Sequence, residues 1–541
     1  MSNLPAPSEM FLPHRLSKFF LTATLALSAH AQSAPIVDLG YARYRGTVSA
    51  INVTHFLGIR YAAAPLGDLR FRAPQPPATV PGVQDATTEP NECFQTSKGL
   101  SPTNPLETRQ APPGINSTED CLFLNVYFPS DAAGTPVENL PVLVYIHGGG
   151  YLAGQASASN GEDIINQSNR GLVVVIIQYR LGVFGFLPGE EVKKNGALNA
   201  GLLDQDFALR WTNTHIAKFG GDPSRVTIWG QSAGAGSVLQ HVVANGGRTE
   251  PQLFRAAMTS STFLPAQYHY NDRIPELSFS KVVAQSGCAS AADMMACLRA
   301  ADADVLQAAN IQINNGAFFG TYTLVPVVDG EFITQRPTLS LLEGKVNGGA
   351  LLSVTNTFEG TKFVDQSTGD TANATQYALE LFPAFGSTQA DQVGALYVGL
   401  GTSLFQETAL MGESIFICPT YLLLHAFGGR AFKAEFAIPP GEHADDVPYY
   451  WPSTTTPPFK NAVFIDAFAQ IFTSFALWLD PNKKVDPTTI TPPWKRWDLE
   501  HTEMLFNKTE DGVPVVQPLR TSDALLERCQ FWASEGGLTA Q

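Results

Sequence analysis

Two short stretches of the chain combine residue types that do chemistry at a carbonyl group. Gly230-Gln231-Ser232-Ala233-Gly234 follows a β-prone run, Arg225-Val226-Thr227-Ile228-Trp229, and precedes Ala235-Gly236-Ser237-Val238-Leu239-Gln240, which can open a helix. In that strand–turn–helix setting, G-x-S-x-G presents a serine on a sharp turn, its hydroxyl pushed into the open. The flanking glycines let strand and helix approach, and the Ala233 N–H points at the oxygen of a bound acyl group. Upstream, the apolar run Pro141-Val142-Leu143-Val144-Tyr145-Ile146 leads straight into His147-Gly148-Gly149-Gly150. A glycine loop after a strand frees backbone N–H groups to face a developing negative charge. A bare G-x-S-x-G arises by chance in a Gly- and Ser-rich chain. The two stretches together, in this order and each after a strand, predict acyl transfer through Ser232.

A serine hydroxyl needs a base to take its proton, and the base needs an acid to orient it. For this kind of elbow the chain order is serine, acid, histidine. Of the ten histidines, His425, His443 and His501 lie far enough past Ser232. His425 sits in the apolar run Tyr421–Phe427 and reads as a core or capping residue, and His501 lies in a charged, exposed-looking segment. His443 falls in Pro440-Gly441-Glu442-His443-Ala444-Asp445-Asp446, a loop directly after the strand candidate Ala434–Ala437. For the acid, Glu359 follows the strand candidate Ala350–Val354 and precedes Gly360. Position alone leaves several other Asp and Glu residues in play.

These residues require strand ends to carry them. Val142–Ile146, Leu172–Gln178, Val226–Trp229, Ala350–Val354 and Ala434–Ala437 are the strand candidates. The middle three are apolar at consecutive positions, as in a parallel sheet covered on both faces. Leu203–Lys218 reads as a helix with Ala208, Trp211 and Ile216 near one face. Asp466–Leu479 reads as another, closed by Asp480-Pro481. Pro-rich Ala73–Pro81 and Thr454–Pro458 read as surface loops. No internal repeat or composition shift divides the chain. The expectation is residues 1–31 as a leader and 32–541 as one α/β domain with elaborated loops.

The 541 residues are 44% hydrophobic and 15% charged, with net charge −15 and no Lys/Arg cluster, which disfavours a nucleic-acid partner. Arg15 and Lys18, the apolar Phe19–Ser28 and Ala29-His30-Ala31 read as a secretory signal with an A-x-A cleavage site, too short to span a bilayer. No later segment reaches about 18 uninterrupted apolar residues, and integral membrane association is not expected. Sequons at Asn52, Asn116, Asn166, Asn373 and Asn507 suit a secreted glycoprotein. Six cysteines in that context favour disulfides over metal ligands, and neither metal nor organic cofactor is implied. Composition does not choose the cysteine pairing or the oligomeric state.

The chain resembles the type-B carboxylesterase, lipase and cholinesterase family over nearly its whole length past the leader. The resemblance is carried by Phe56–Ala62, Pro65–Phe71, Glu119–Val126, His147–Tyr151, Asn199–Gln205 and Phe219–Pro223. The elbow and the contexts of Glu359-Gly360 and His443 complete it, and the phrasing is closest to fungal members. It implies an α/β-hydrolase fold, a large mostly parallel central sheet flanked by helices. It further implies Ser232 as nucleophile, His443 as base then acid, Glu359 as the carboxylate behind it, and an oxyanion hole from Gly149, Gly150 and Ala233. The same resemblance implies the disulfides Cys93–Cys121, Cys288–Cys297 and Cys418–Cys529. Arg70 with Glu119 and Arg180 with Asp204 resemble the family's structural ion pairs. Gln231 stands where the family has Glu, with its side chain expected to point away from the acyl group. Ser260 matches, imperfectly, a family serine that supports the acid.

The substrate implied is a small-molecule ester. The Cys93–Cys121 loop contains no Trp or Tyr, the usual partner of a quaternary ammonium group, which disfavours a cholinesterase. It is polar and Pro-rich, a poor hydrophobic lid, which favours short, medium or aromatic esters such as feruloyl esters. A lipase or a sterol or carotenoid ester hydrolase is the alternative. A non-catalytic cholinesterase-like binding protein is disfavoured by the intact Ser232, Glu359 and His443. Met258–Tyr270, with Phe263, Leu264, Tyr268 and Tyr270, is expected either to wall the acyl side or to be ordinary core.

Overall fold

In the computed structural model, residues 34–102 and 117–541 are described. Their organising element is an eleven-stranded sheet. In chain order its strands are β1 (Thr47–Val48), β2 (Val53–Arg60), β3 (Phe123–Pro129), β4 (Leu140–Ile146), β5 (Val173–Ile177), β6 (Gly221–Gln231), β7 (Ala256–Ser260), β8 (Leu351–Asn356), β9 (Ala431–Phe436), β10 (Thr502–Lys508) and β11 (Pro514–Arg520). Their spatial order is β11-β10-β9-β8-β7-β6-β4-β5-β3-β2-β1. From β5 through β10 every neighbouring pair is parallel, and the flanking pairs are antiparallel. The fold is an α/β-hydrolase fold, its large mostly parallel sheet flanked by helices.

All five strand candidates form strands, and the physical reason is visible in β4 and β5. Successive side chains of a strand point to opposite faces. Val142, Val144, Ile146, Val173, Val175 and Ile177 enter the core on one face. Leu143, Tyr145, Val174 and Ile176 enter a second core on the other. All are buried, each contributing about 1.5–3 kcal/mol relative to exposure. That is why these runs show no alternation. The expected helix at Leu203–Lys218 is Ala200–His215, followed by a tighter turn at Ile216–Phe219. The other runs from Ala462 to Trp478. It is capped by Asn461, whose side chain accepts the Phe464 N–H, and stopped by Leu479 in the left-handed region.

The three implied disulfides, Cys93–Cys121, Cys288–Cys297 and Cys418–Cys529, are present. Arg70 and Glu119 form a buried two-point pair (2.5 and 2.6 Å), as do Arg180 and Asp204 (2.7 Å twice). The stretch Ser403–Ala426 is apolar and long enough to cross a membrane by those measures alone, but most of it is buried inside the fold. Residues 1–31, the expected signal, and the Asn116 sequon lie outside the described residues. Asn52, Asn166 and Asn373 are exposed and Asn507 is half-buried.

Candidate active site

Strands β6, β8 and β9 deliver three side chains to one end of the sheet. Ser232 follows β6 with φ 57° and ψ −125°, a left-handed setting that a non-glycine residue adopts only when its surroundings enforce it. They do. Ser232 N–H donates to Ser260 O (2.9 Å), and Gly236 N–H donates to Ser232 O (2.8 Å). A Cβ on Gly230 would lie 2.2 Å from Gly234 C, and one on Gly234 would lie 2.0 Å from Ile146 O. Both elbow glycines are therefore required by close backbone approach.

Glu359 is fully buried three residues past β8. Its Oε1 accepts the Asn356 N–H (2.7 Å), and its Oε2 accepts from His443 Nδ1 (2.6 Å). The other ring nitrogen, Nε2, lies 2.9 Å from Ser232 Oγ. The loops carrying Glu359 and His443 are laced together, since Phe358 N–H donates to Gly441 O (2.8 Å). Lys362 Nζ reaches His443 O (2.6 Å) and Asp445 Oδ1 (2.9 Å). Phe363 and Phe416 pack on the imidazole with ring centroids 5.0 and 4.6 Å away. Of the alternatives, His425 is exposed in the last turn of its helix, not in the core, and His501 is half-buried and stacked on Trp497. Neither is joined to Ser232.

The glycine loop lies against the elbow. A Cβ on Gly148 would come 2.6 Å from Gln231 O and 3.0 Å from Ser232 Cβ, while Gly149 and Gly150 adopt φ of 103° and 65°. Gly149 O accepts the N–H groups of Leu152 and Ala153, both at 3.0 Å, and so fixes the loop. His147, ahead of the glycines, stacks on Tyr179 at 4.5 Å, and burial pushes its imidazole down to about 4. It is therefore neutral at pH 7 and leaves no cation in the loop.

The sequence model of the carboxylesterase family matches residues 33–532. The chain belongs to the carboxylesterase family. This carboxylesterase is 30% identical to carboxylesterase patB of Aspergillus clavatus over 94% of its own length and 99% of that protein. It is 31% identical to lipase 4 of Diutina rugosa over 86% and 90% of the two chains. The crystal structure of Aspergillus niger EstA superposes with a TM-score of 0.83 at 30% identity, covering 94% of this chain and 99% of that one. The carboxylesterase is accordingly a carboxylic ester hydrolase.

Several residues around the site escape the motif reading. The Gln231 side chain lies beside the base, its Nε2 3.5 Å from His443 Nε2. Ser260 does not support the acid, because its Oγ instead accepts the Trp229 indole N–H (3.2 Å). Its neighbour Ser261 accepts from Asn356 Nδ2 (3.2 Å), which also donates to Asp446 Oδ1 (3.1 Å). Asp446 is a second fully buried carboxylate, lifted to about 6 by burial and by Glu359 nearby. An apolar cavity of about 280 Å³ lies alongside, lined by Phe263, Tyr268, Phe318, Tyr322, Met411 and Ile415 among others. Tyr322 stands between it and the glycine loop: a Cβ on Gly150 would lie 1.8 Å from Tyr322 Cε1.

Proposed function

We propose that this carboxylic ester hydrolase works through an acyl-enzyme on Ser232. His443 takes the hydroxyl proton and returns it to the leaving alcohol, Glu359 holds the imidazole, and the N–H groups of Gly149, Gly150 and Ala233 receive the oxyanion. Water then repeats the sequence on the acyl-enzyme. The observation that carries this reading is the continuous relay of 2.6 Å from Glu359 to His443 Nδ1 and 2.9 Å from Nε2 to Ser232 Oγ. No metal or organic cofactor enters it.

The substrates proposed are short- and medium-chain or aromatic esters, feruloyl esters among them. The aromatic lining of the adjoining cavity by Phe263, Phe318, Phe382 and Tyr322 supports a flat acyl group. Secretion after removal of residues 1–31 is supported by the leader pattern, the sequons at Asn52, Asn116, Asn166, Asn373 and Asn507, and three disulfides. A lipase is the second reading, favoured by the 31% identity to the protein of Diutina rugosa named lipase 4.

The test is kcat/KM across p-nitrophenyl esters from acetyl to palmitoyl, with methyl ferulate alongside. A maximum at short chains or at ferulate supports the esterase reading, and a maximum at long chains moves the assignment to lipase. A fluorophosphonate adduct mapped to any serine but Ser232 would overturn the mechanism.

A further inference from the structure

Between the helices Ser403–Gly412 and Cys418–Ala426, the backbone widens into a π-type turn over Glu413–Ile417. Such a turn shifts carbonyls out of line with the N–H groups one turn on, and buried carbonyls need partners. Here the partners are specific. Ile415 O accepts the Leu264 N–H (2.9 Å), and Phe416 O accepts the Thr420 hydroxyl (2.9 Å). Ser414 O accepts from Gln541 Nε2 (2.9 Å). The same nitrogen donates to Leu264 O (2.6 Å). Gln541 is 2% exposed and is itself anchored, its N–H donating to Gly536 O (3.1 Å) and its main-chain oxygen accepting the Thr338 hydroxyl. The preceding Ala540 O accepts the Gln267 N–H (2.6 Å). The carboxamide thus adds a second tie between the Phe263-Leu264 segment and the π turn, beside the direct bond from Leu264 N–H to Ile415 O.

Those two segments hold the aromatic seat of the imidazole. Phe416 lies 4.6 Å from the His443 ring, Phe263 lies 5.4 Å from Phe416, and Phe363 stacks on Phe416 at 5.1 Å. Within the π turn, Phe416 meets the His443 ring, while Ile415 and the preceding Met411 line the cavity. We propose that Gln541 is a positioning residue for ester hydrolysis: its buried carboxamide fixes the π turn and thereby the Phe416 ring against which His443 is held. This rests on His443 acting as the base. Gln541 touches neither substrate nor reacting atoms, so its effect falls on turnover and leaves ester binding nearly unchanged.

The test uses full-length Gln541→Leu, close in shape but without donors, with p-nitrophenyl butyrate as substrate. The expected result is a kcat about 5–30-fold lower, a KM within about twofold of wild type, and a matching fall in the rate of fluorophosphonate labelling of Ser232. Phe416→Leu should lower kcat comparably. The double variant should be no worse than the poorer single, since residues acting through one contact are not additive. Gln541→Met stands in if the leucine variant does not fold by circular dichroism. A folded Gln541 variant with wild-type kcat, or losses that multiply in the double variant, overturns the proposal. His443→Ala with turnover intact would instead remove the base on which it rests, and that result is read independently of Gln541.

Discussion

Replacing Gly150 by alanine tests the oxyanion loop with a single methyl group. The added Cβ would sit 1.8 Å from Tyr322 Cε1 and 2.2 Å from Cδ1, so one partner must give by roughly 1.6 Å to restore an ordinary contact. The loop is held by two hydrogen bonds onto Gly149 O and by Gly148 against Ser232 Cβ, whereas Tyr322 borders the cavity with Phe263 5.3 Å behind it. The φ of 65° adds roughly 1–2 kcal/mol for any residue with a Cβ. If the loop yields, the Gly149 and Gly150 N–H groups leave the position proposed for the oxyanion. Losing one such donor lowers kcat by about 10²–10³, or about 2.7–4 kcal/mol of barrier. The assay is kcat and kcat/KM on p-nitrophenyl butyrate, with thermal unfolding recorded alongside. Gly150→Ala is expected to lose about 10²–10³-fold, and Gly150→Ala with Tyr322→Ala to recover most of it. A single variant within threefold of wild type shows that Tyr322 yields while the loop stays, and refutes the predicted displacement of the donors. A double variant no better than the single refutes Tyr322 as the obstacle.

Glu359→Gln keeps the shape of the relay but removes the charge that holds the imidazole, and kcat at pH 7.5 is expected to fall by about 10³–10⁴; a loss below tenfold would assign the orienting role elsewhere. Loop-closure entropy ranks the disulfides: Cys418–Cys529 closes 111 residues and Cys288–Cys297 only 9. Their Cys→Ser pairs should destabilise by about 4.8 and about 2.6 kcal/mol in urea unfolding, and the reverse order would contradict this account. Burial holds His241 at about 4. An unfolded histidine takes a proton near 6.5, so from about pH 6.5 down to 4 the unfolded state binds a proton that the folded state refuses, and stability falls with pH. Relative to His241→Gln, wild type should lose on the order of 3 kcal/mol across that window, measured by urea midpoints from pH 7 to 4. Asp446, lifted to about 6, has the opposite sign: Asp446→Asn should remove a stabilisation that grows as pH falls from 6 toward 4.

The parts of the site written as local motifs were legible in the sequence. Ser232 and the glycine loop each follow an apolar strand, and His443 follows the only late strand candidate with a loop histidine. What the sequence conceals is contact across the chain. Gln231 beside His443 Nε2 depends on the rotamer its neighbours allow, and no spacing encodes it. Asn356 joins Ser261 and Asp446, residues 95 and 90 positions away, and an asparagine at a strand end carries no signature of such a network. Asp445 and Asp446 are chemically identical neighbours, and only the fold buries the second while leaving the first half-buried. The π turn at Glu413–Ile417 is hidden because its apolar pattern continues the helical period on both sides. Strand ends differ from expectation by one to a few residues where backbone pairing outlasts the apolar run, as in β6, which starts at Gly221 with a register shift before Val226.

The backbone at Ser232 has a consequence for how active protein is counted. Its φ of 57° and ψ of −125° persist only while strand β6, the helix beginning at Ala233 and the Ser260 carbonyl are all in place. A chain that has lost that corner relaxes the serine to an ordinary conformation and parts it from His443, so it becomes chemically inert even with its side chain in open solvent. On the proposed mechanism, stoichiometric phosphonylation of Ser232 by a fluorophosphonate, with loss of fluoride, titrates native molecules, not total protein. Followed through a denaturant series, it reports whether the corner opens alone or together with the sheet.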